Sequence, residues 1–421
     1  MKVAPFRMIG SGAMHSLSLS SRVALLPFVA LLNFCGIATE LRATDAAKML
    51  PGTHEEVQTA TETRLLEPGW WPTKGTATRD EYGGAAACAR CHADKTESYA
   101  ATPMAHALSP VASEKLPELT HGPLHFTIGT YSYELAQTPA GPTYSVNDGT
   151  RSLSESIKWV FGTGEIGRTY VYQQNGDINE SHLSYYSGPQ ALDFTTGHSR
   201  SAPGALTGAL GRRIANPRAC FACHSTEATT NDRFDPQLLT PGVTCEGCHG
   251  PGAQHVALMS AMQDAQAPSM IFNPAKLGPV ATVDFCGACH RTSVDVAFLG
   301  ISGIFTLRFP AYRLQASRCW TKPDARLTCF ACHDPHRPLV REPGSYDSNC
   351  LACHRNSAAA KTSSSSANHS SLRTKSSAPA CPVGQKACVT CHMPQYQIPE
   401  IHATFTDHRI AIHRERSSLK R

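Results

Sequence analysis

Residues 245–255 read CEGCHGPGAQH. Two cysteines separated by two residues are followed at once by a histidine, and a second histidine stands six residues further on. The same five-residue frame, Cys-x-x-Cys-His, occurs seven times in the 421-residue chain and accounts for fourteen of its 17 cysteines. This repeated motif therefore decides what kind of fold the chain can have.

Cysteine pairs of this kind have three chemical explanations. A cysteine-rich exported chain normally forms disulfides, and CxxC pairs also build zinc sites. Neither explanation requires a histidine directly after every second cysteine. Histidine makes up only 20 of the 421 residues, so seven such placements are not coincidence. Cys-x-x-Cys-His is the sequence to which c-type haem is attached.

The chemistry of haem attachment explains the spacing. Two thiols bond covalently to one porphyrin edge, and the histidine that follows becomes the proximal iron ligand. The sequence therefore predicts seven covalently bound haem c groups. The predicted attachment residues are Cys88, Cys91, Cys220, Cys223, Cys245, Cys248, Cys286, Cys289, Cys329, Cys332, Cys350, Cys353, Cys388 and Cys391. The predicted proximal ligands are His92, His224, His249, His290, His333, His354 and His392.

The N-terminus predicts export. Basic residues precede the apolar stretch 23–38, and small residues follow it, which is the layout of a secretory signal. The apolar stretch is shorter than the roughly 20 residues that a membrane span needs. We therefore expect a cleaved signal peptide, a periplasmic or otherwise exported protein, and no transmembrane segment in the mature chain.

The region between the first and second motifs differs from the rest. Residues 124–135 alternate apolar and polar side chains, and residues 168–186 carry β-branched and aromatic runs around an Asn-Gly-Asp turn. Both patterns predict strands of a small antiparallel β insertion. Residues 356–380, by contrast, are rich in Ser and Ala and cannot bury enough apolar surface to order themselves.

The predicted fold class is mainly α-helical with much irregular structure. So little polypeptide accompanies each haem that the porphyrins themselves must form the core. The predicted division is a signal peptide at 1–43, an N-terminal segment with the first haem at 44–120, a β-rich insertion at 121–200, a haem-packing domain with haems two to six at 201–355, a low-complexity linker at 356–387, and the seventh haem with a C-terminal ligand strip at 388–421.

Charge narrows the class of partner. The formal net charge is +5, and no basic run resembles a nucleic-acid patch. Each haem adds two propionates, so we expect the holoprotein to be negatively charged. The expected partners are redox proteins, either other cytochromes or a quinol-linked membrane complex.

Each iron also needs a sixth ligand or an open position. His336 lies three residues after His333, a reach of at most about 10 Å, so it cannot pass round the porphyrin to the opposite face. We likewise expect His255 to bind a neighbouring haem and not the one held by His249. The predicted distal ligands are His106, His198, His255, His336, His402, His408 and His413. Less favoured histidines are His54, His121, His125, His182 and His369.

Several of these motifs resemble a known group of proteins. The segments CHGPGAQH (248–255), CHMP (391–394) and FTDHRI (405–410) are similar to those of multihaem cytochromes c related to hydroxylamine oxidoreductase, pentahaem nitrite reductase and their tetrahaem electron-carrier cytochromes. The resemblance covers roughly residues 86–112 and 190–414. It implies a mostly α-helical fold with closely packed haems. It also implies that His255, His336 and His408 are distal ligands to haems other than the one beside them.

The chain also departs from that family. It lacks the CxxCK motif of the nitrite reductases, and no tyrosine can be matched to the haem crosslink of hydroxylamine oxidation. Neither activity is therefore carried over.

Two function classes follow from the ligand count. Seven distal histidines favour an electron-transfer protein with bis-His haems. Six histidines and one open face favour an oxidoreductase acting on a small nitrogen or sulfur compound, with the first haem as the expected open site. Of the three cysteines outside the motifs, Cys35 lies in the predicted signal peptide, and Cys319 and Cys381 form either one disulfide or two free thiols.

Overall fold

The computed structural model describes residues 77–111, 116–231, 233–261, 270–320, 327–354, 381 and 383–413. All of them belong to one compact unit. The predicted signal peptide, most of the predicted linker, His54 and His369 lie outside the described residues.

A nine-stranded antiparallel sheet occupies the region between the first two motifs. Seven consecutive strands, β2 to β8, form a meander, while β1 pairs with β5 and β9 pairs with β7. The strands are β1 (Leu108–Pro110), β2 (Leu124–Ile128), β3 (Tyr131–Thr138), β4 (Gly141–Asn147), β5 (Ser152–Phe161), β6 (Gly167–Gln174), β7 (Asp177–Tyr186), β8 (Ala191–Phe194) and β9 (Gly211–Arg213).

Local sequence explains much of this sheet. In β3, burial alternates along the strand, so that Tyr131, Tyr133 and Leu135 face the core. The hairpin between β6 and β7 turns at Asn175 and Gly176, which both have positive φ angles, 52° and 87°. An Asn-Gly pair in this conformation matches the right-handed twist of the flanking strands. The strands predicted within 124–135 and 168–186 are thereby confirmed.

Outside the sheet the helices are short. They are α1 (Ala85–Ala89), α2 (Ala93–Ala100), α3 (Leu206–Leu210), α4 (Pro217–His224), α5 (Cys245–His249), α6 (Ala253–Ala261), α7 (Pro279–His290), α8 (Ser293–Phe298), α9 (Pro310–Gln315), α10 (Asp347–His354) and α11 (Cys388–His392). The 3-10 helices are Arg79–Glu81, Pro103–His106, Pro117–Leu119, Pro274–Lys276, Gly303–Arg308, Cys329–Ala331, Pro343–Tyr346 and Pro399–Ile401. None of the helices in the described ranges has the length and apolar character needed to cross a membrane.

Short strand pairs connect the helical segments. A C-terminal hairpin pairs residues 395–398 with residues 403–406. The short strands are β10 (Ser225–Thr226), β11 (Thr229–Thr230), β12 (Arg233–Phe234), β13 (Thr240–Pro241), β14 (Gln395–Ile398) and β15 (Ala403–Thr406). We refer to residues 395–413, from this hairpin to the last described residue, as the C-terminal strip.

The sheet curls over a core of its own. Phe126 in β2 and Phe194 in β8 meet with ring centroids 5.4 Å apart, so the first and last strands of the meander approach each other. Tyr144 and Leu183 are completely buried in the same core. Helix α3 adds apolar side chains to the same core. This region therefore has a hydrophobic core built from protein side chains alone.

The prediction of a mainly α-helical fold with a small β insertion is wrong. The sheet is a major part of the described structure, and its strands β1 and β9 lie outside the predicted insertion. The longest strands include β5, whose sequence SLSESIKWVF has an apolar run only at its end. Most helices that carry the motifs have five to eight residues, which is too short for helix to dominate.

Candidate haem sites

The motifs lie mostly on short helices that end at the motif histidine. Helices α4, α5, α7, α10 and α11 all end in this way. Residues three apart are neighbours on one face of a helix. Both thiols of a motif can therefore meet the same porphyrin edge.

The orientation of three motif imidazoles suits metal binding. The Nδ1 atoms of His224, His249 and His392 lie 3.1, 2.8 and 2.9 Å from the carbonyl oxygens of residues 107, 272 and 411. An imidazole that donates its Nδ1 proton to a carbonyl presents the lone pair of Nε2 to a metal. These residues therefore fit the role of proximal iron ligand.

Three pairs of histidine rings have the separation expected across one iron. The ring centroids are 6.4 Å apart for His92 and His255 and 6.1 Å apart for His249 and His336. The third pair, His333 and His408, is separated by 6.2 Å. Two imidazoles bound to opposite sides of one metal by bonds of about 2 Å place their centroids roughly 6 Å apart. Each pair can thus hold an iron between its rings.

Each of these pairs joins two different motifs. His255 follows the third motif but faces the histidine of the first. His336 follows the fifth motif and faces the third, while His408 follows the seventh motif and faces the fifth. Histidines that serve a neighbouring site in this way interlock the first, third, fifth and seventh motifs.

In two of these facing histidines, Nδ1 lies near an oxygen atom, as it does in the motif histidines. Nδ1 of His336 lies 3.3 Å from Asp334 Oδ1, and Nδ1 of His408 lies 3.1 Å from the carbonyl oxygen of Thr406. Burial lowers the pKa of His408 to about 4. The neutral imidazole is the form that binds metals.

The structure places His106, His198 and His402 in other surroundings. Nε2 of His106 lies 2.7 Å from the carbonyl oxygen of residue 100. Nε2 of His198 contacts Glu180 at 3.2 Å, and Nε2 of His402 contacts Asp193 at 2.7 Å. In all three residues the nitrogen that would bind an iron contacts another protein group.

His413 differs from these three. Its Nε2 atom is buried and has no hydrogen-bond partner in the part of the chain that the structure describes. A buried nitrogen without a partner is costly unless a ligand or metal satisfies it. The arrangement of His413 therefore fits a metal ligand.

The less favoured histidines that are described lie at or in the sheet. His182 is buried, its ring stacks on Tyr133, and burial lowers its pKa to about 4. Its Nδ1 atom lies 3.2 Å from Nδ1 of His198. His125 is exposed beside Glu134. These side chains belong to the sheet and its surface.

Motif cysteines approach one another across the chain. Interacting pairs of motif thiols are Cys88 with Cys245, Cys223 with Cys289, Cys286 with Cys329, and Cys350 with Cys388. Electrostatic contacts join Cys248 to Cys286 and Cys332 to Cys350. All seven motifs are therefore linked by interactions between their thiols.

Glu246 occupies a variable position of the third motif and was not singled out from the sequence. Its buried carboxylate accepts hydrogen bonds from the amide nitrogens of Gly83 at 2.7 Å, Gly84 at 2.9 Å and Gly252 at 2.8 Å. Gly84 is the residue before α1, which carries the first motif. Glu246 thus attaches the first motif to the third.

Replacing Glu246 with Ala is expected to destabilise the protein by about 3 kcal/mol or more. The change leaves three amide groups without their acceptor, and each buried unsatisfied group costs about 1–3 kcal/mol. Glu246→Gln keeps one acceptor oxygen and should lose less. Urea unfolding followed by absorbance of the haem bands measures both variants. Equal midpoints for wild type and Glu246→Ala would contradict this role.

Two of the described cysteines lie outside the haem-attachment motifs. Cys319 and Cys381 are free thiols, with Cys319 partly buried and Cys381 exposed. The structure therefore has no disulfide between them.

Comparison with known proteins gives one match at the level of families. Residues 191–250 match the family model described as cytochrome c554 and c-prime, a range that contains the second and third motifs. Comparison with curated protein sequences gives no significant match. A similar solved structure is that of the outer cell wall cytochrome OcwA, with a TM-score of 0.44 and 14% identity over 78% of this chain and 79% of that chain.

The family match agrees with the predicted c-type cytochrome. It does not test the predicted relationship to hydroxylamine oxidoreductase and nitrite reductase, which stays a prediction. Over residues 191–250, the similarity supports a c-type cytochrome with covalently bound haem and an electron-transfer role.

Proposed function

We propose that this protein is an exported seven-haem c-type cytochrome that carries electrons along a continuous row of haem groups. The observation that carries the proposal is the set of three histidine pairs between motifs, at 6.1–6.4 Å. When bound, haem supplies reversible one-electron chemistry at its iron. The protein's own residues attach the porphyrins, ligate their irons and hold the groups close together.

The contacts between motif cysteines support the continuity of the row. Each thiol marks the edge of the porphyrin that it would attach. Neighbouring thiols such as Cys286 and Cys329 therefore bring two porphyrin edges together. Because such contacts link all seven motifs, an electron entering at one haem has a path to the others.

The three pairs of histidines that would each hold an iron are His92 with His255, His249 with His336, and His333 with His408. His413 is proposed as a ligand to one of the other irons, because its Nε2 atom is buried without a partner in the described structure. Ligation by His198 or His402 requires that its Nε2 contact with a carboxylate be broken.

The proposal also includes export of the protein and its redox partners. Export rests on the signal-like sequence 1–43, which lies outside the described residues. An exported electron carrier needs donor and acceptor proteins, for which we propose other cytochromes or a quinol-linked membrane complex. Bis-His ligation and burial together would set the potentials of the haems.

The test is a haem count combined with spin-state analysis of the oxidised holoprotein. Pyridine haemochrome absorbance and intact mass are expected to give seven haems per chain. Electron paramagnetic resonance is expected to show low-spin ferric iron only. A lower haem count would overturn the number, and a stoichiometric high-spin signal would instead support the oxidoreductase with an open site. The first haem is no longer favoured as that site, because His255 faces His92.

A further inference from the structure

A buried ion pair lies next to His408. Arg313 in α9 donates to both carboxylate oxygens of Asp407, with Nε 2.7 Å from Oδ1 and Nη2 2.6 Å from Oδ2. The side chains are 10% and 2% exposed. A two-pronged contact of this kind fixes geometry as well as charge. Arg313 therefore holds the residue directly before His408 in one position.

Further hydrogen bonds fix the backbone on both sides of His408. The Asp407 amide donates to the carbonyl of Pro394, and the Arg409 amide donates to Asp407 Oδ1 at 2.8 Å. The hydroxyl of Ser317, just after α9, contacts the His408 carbonyl at 3.3 Å and accepts from the Ile410 amide at 2.8 Å. Helix α9 and the turn after it thus hold the strip before and after this histidine.

Helix α9 is in turn fixed to the fourth motif. The Tyr312 amide donates to the carbonyl of Arg291, directly after the motif histidine, at 3.0 Å. Ala311 packs so closely on Gly287 that a Cβ atom at residue 287 would lie 3.4 Å from it. The position of Arg313 is therefore set by the helix that carries the fourth motif.

We infer that Asp407 and Arg313 are positioning residues that hold the imidazole of His408 opposite His333. This inference rests on the proposed function, in which His408 is the distal ligand of the fifth haem. Through this ion pair, helices α7 and α9 fix the position of the C-terminal strip. Correct ligation of the fifth haem thereby depends on a contact formed beside the fourth.

The test compares ligand loss with loss of the positioning pair. His408→Ala in the seven-haem protein is expected to give one equivalent of high-spin ferric iron. Asp407→Asn is expected to give a high-spin fraction of the same haem, between a tenth and one equivalent, because its ligand is no longer held. Added imidazole should return that fraction to the low-spin form. Asp407→Glu, which keeps the charge, should restore part of the low-spin signal without imidazole.

The control is Asp177→Asn, at the exposed pair of Asp177 with Arg213. It should leave the spin state unchanged. If Asp407→Asn holoprotein does not accumulate, Arg313→Lys makes the same comparison, since lysine keeps the charge but cannot form the two-pronged contact. High-spin iron in His408→Ala but none in either pair variant would overturn the inference alone. No high-spin iron in His408→Ala would overturn the ligand assignment and the inference with it.

Discussion

The variant Cys286→Ala/Cys289→Ala is expected to contain six haems and to have a divided electron path. The thiols of the fourth motif interact electrostatically with cysteines of the second, third and fifth motifs. Without the fourth haem, the second haem is isolated, and the third and fifth are joined only through the His249–His336 pair. Injection of one electron per molecule should therefore give at least two phases of absorbance change, where the wild type redistributes the electron in one.

The matched control removes one haem from the end of the row. The seventh motif is linked through Cys388 to the sixth only, as far as thiol contacts of the described motifs show. Cys388→Ala/Cys391→Ala should also contain six haems but keep single-phase redistribution. Circular dichroism of the sheet region checks that both variants are folded. Identical kinetics in the two folded variants would show that the fourth haem is not the junction.

Glu118→Ala is expected to destabilise the protein by about 3–5 kcal/mol, the usual cost of removing one partner of a buried pair. The Glu118 side chain is fully buried, and its oxygens accept from Arg168 Nη1 at 2.5 Å and from the Tyr170 hydroxyl at 2.6 Å. The change removes the carboxylate from a mostly buried guanidinium, which keeps only the Thr163 carbonyl as acceptor, and leaves a buried phenol without its acceptor. Urea unfolding followed by tryptophan fluorescence measures the loss.

The exposed pair of Asp177 and Arg213 again supplies the control. Asp177→Ala removes a carboxylate from a contact of 2.8 Å between side chains that are more than half exposed. Such surface pairs contribute about 0–1 kcal/mol. Similar losses in Glu118→Ala and Asp177→Ala would mean that burial does not set the strength of the Glu118 contact.

The local sequence pattern was sufficient to predict part of the fold. The alternation in β3 and the Asn175-Gly176 turn are signals within one strand or one hairpin, and both were read correctly. The extent of the sheet was not, because β1 and β9 have three residues each and form only by pairing with β5 and β7. Pairing between distant segments leaves no periodic signal in so short a stretch. The sheet was therefore underestimated.

For the candidate haem sites, too, the sequence predicted some features and not others. Chain reach predicted that His255 and His336 serve neighbouring haems, and the structure places each opposite the histidine of another motif. Their ligand role itself stays a prediction. No local feature indicated that His402 lies against Asp193, since those residues are 209 positions apart. Which histidine nitrogens are available depends on such distant contacts.

The C-terminal strip also has a consequence for how the protein folds. Its contacts close very long loops, with sequence separations of 209 for Asp193 and His402 and 94 for Arg313 and Asp407. Chain entropy must be lost before such contacts form, so they form late. Synthesis proceeds from the N-terminus, and the strip is the last of these segments to emerge. The side of His333 that His408 covers therefore stays accessible until folding is nearly complete.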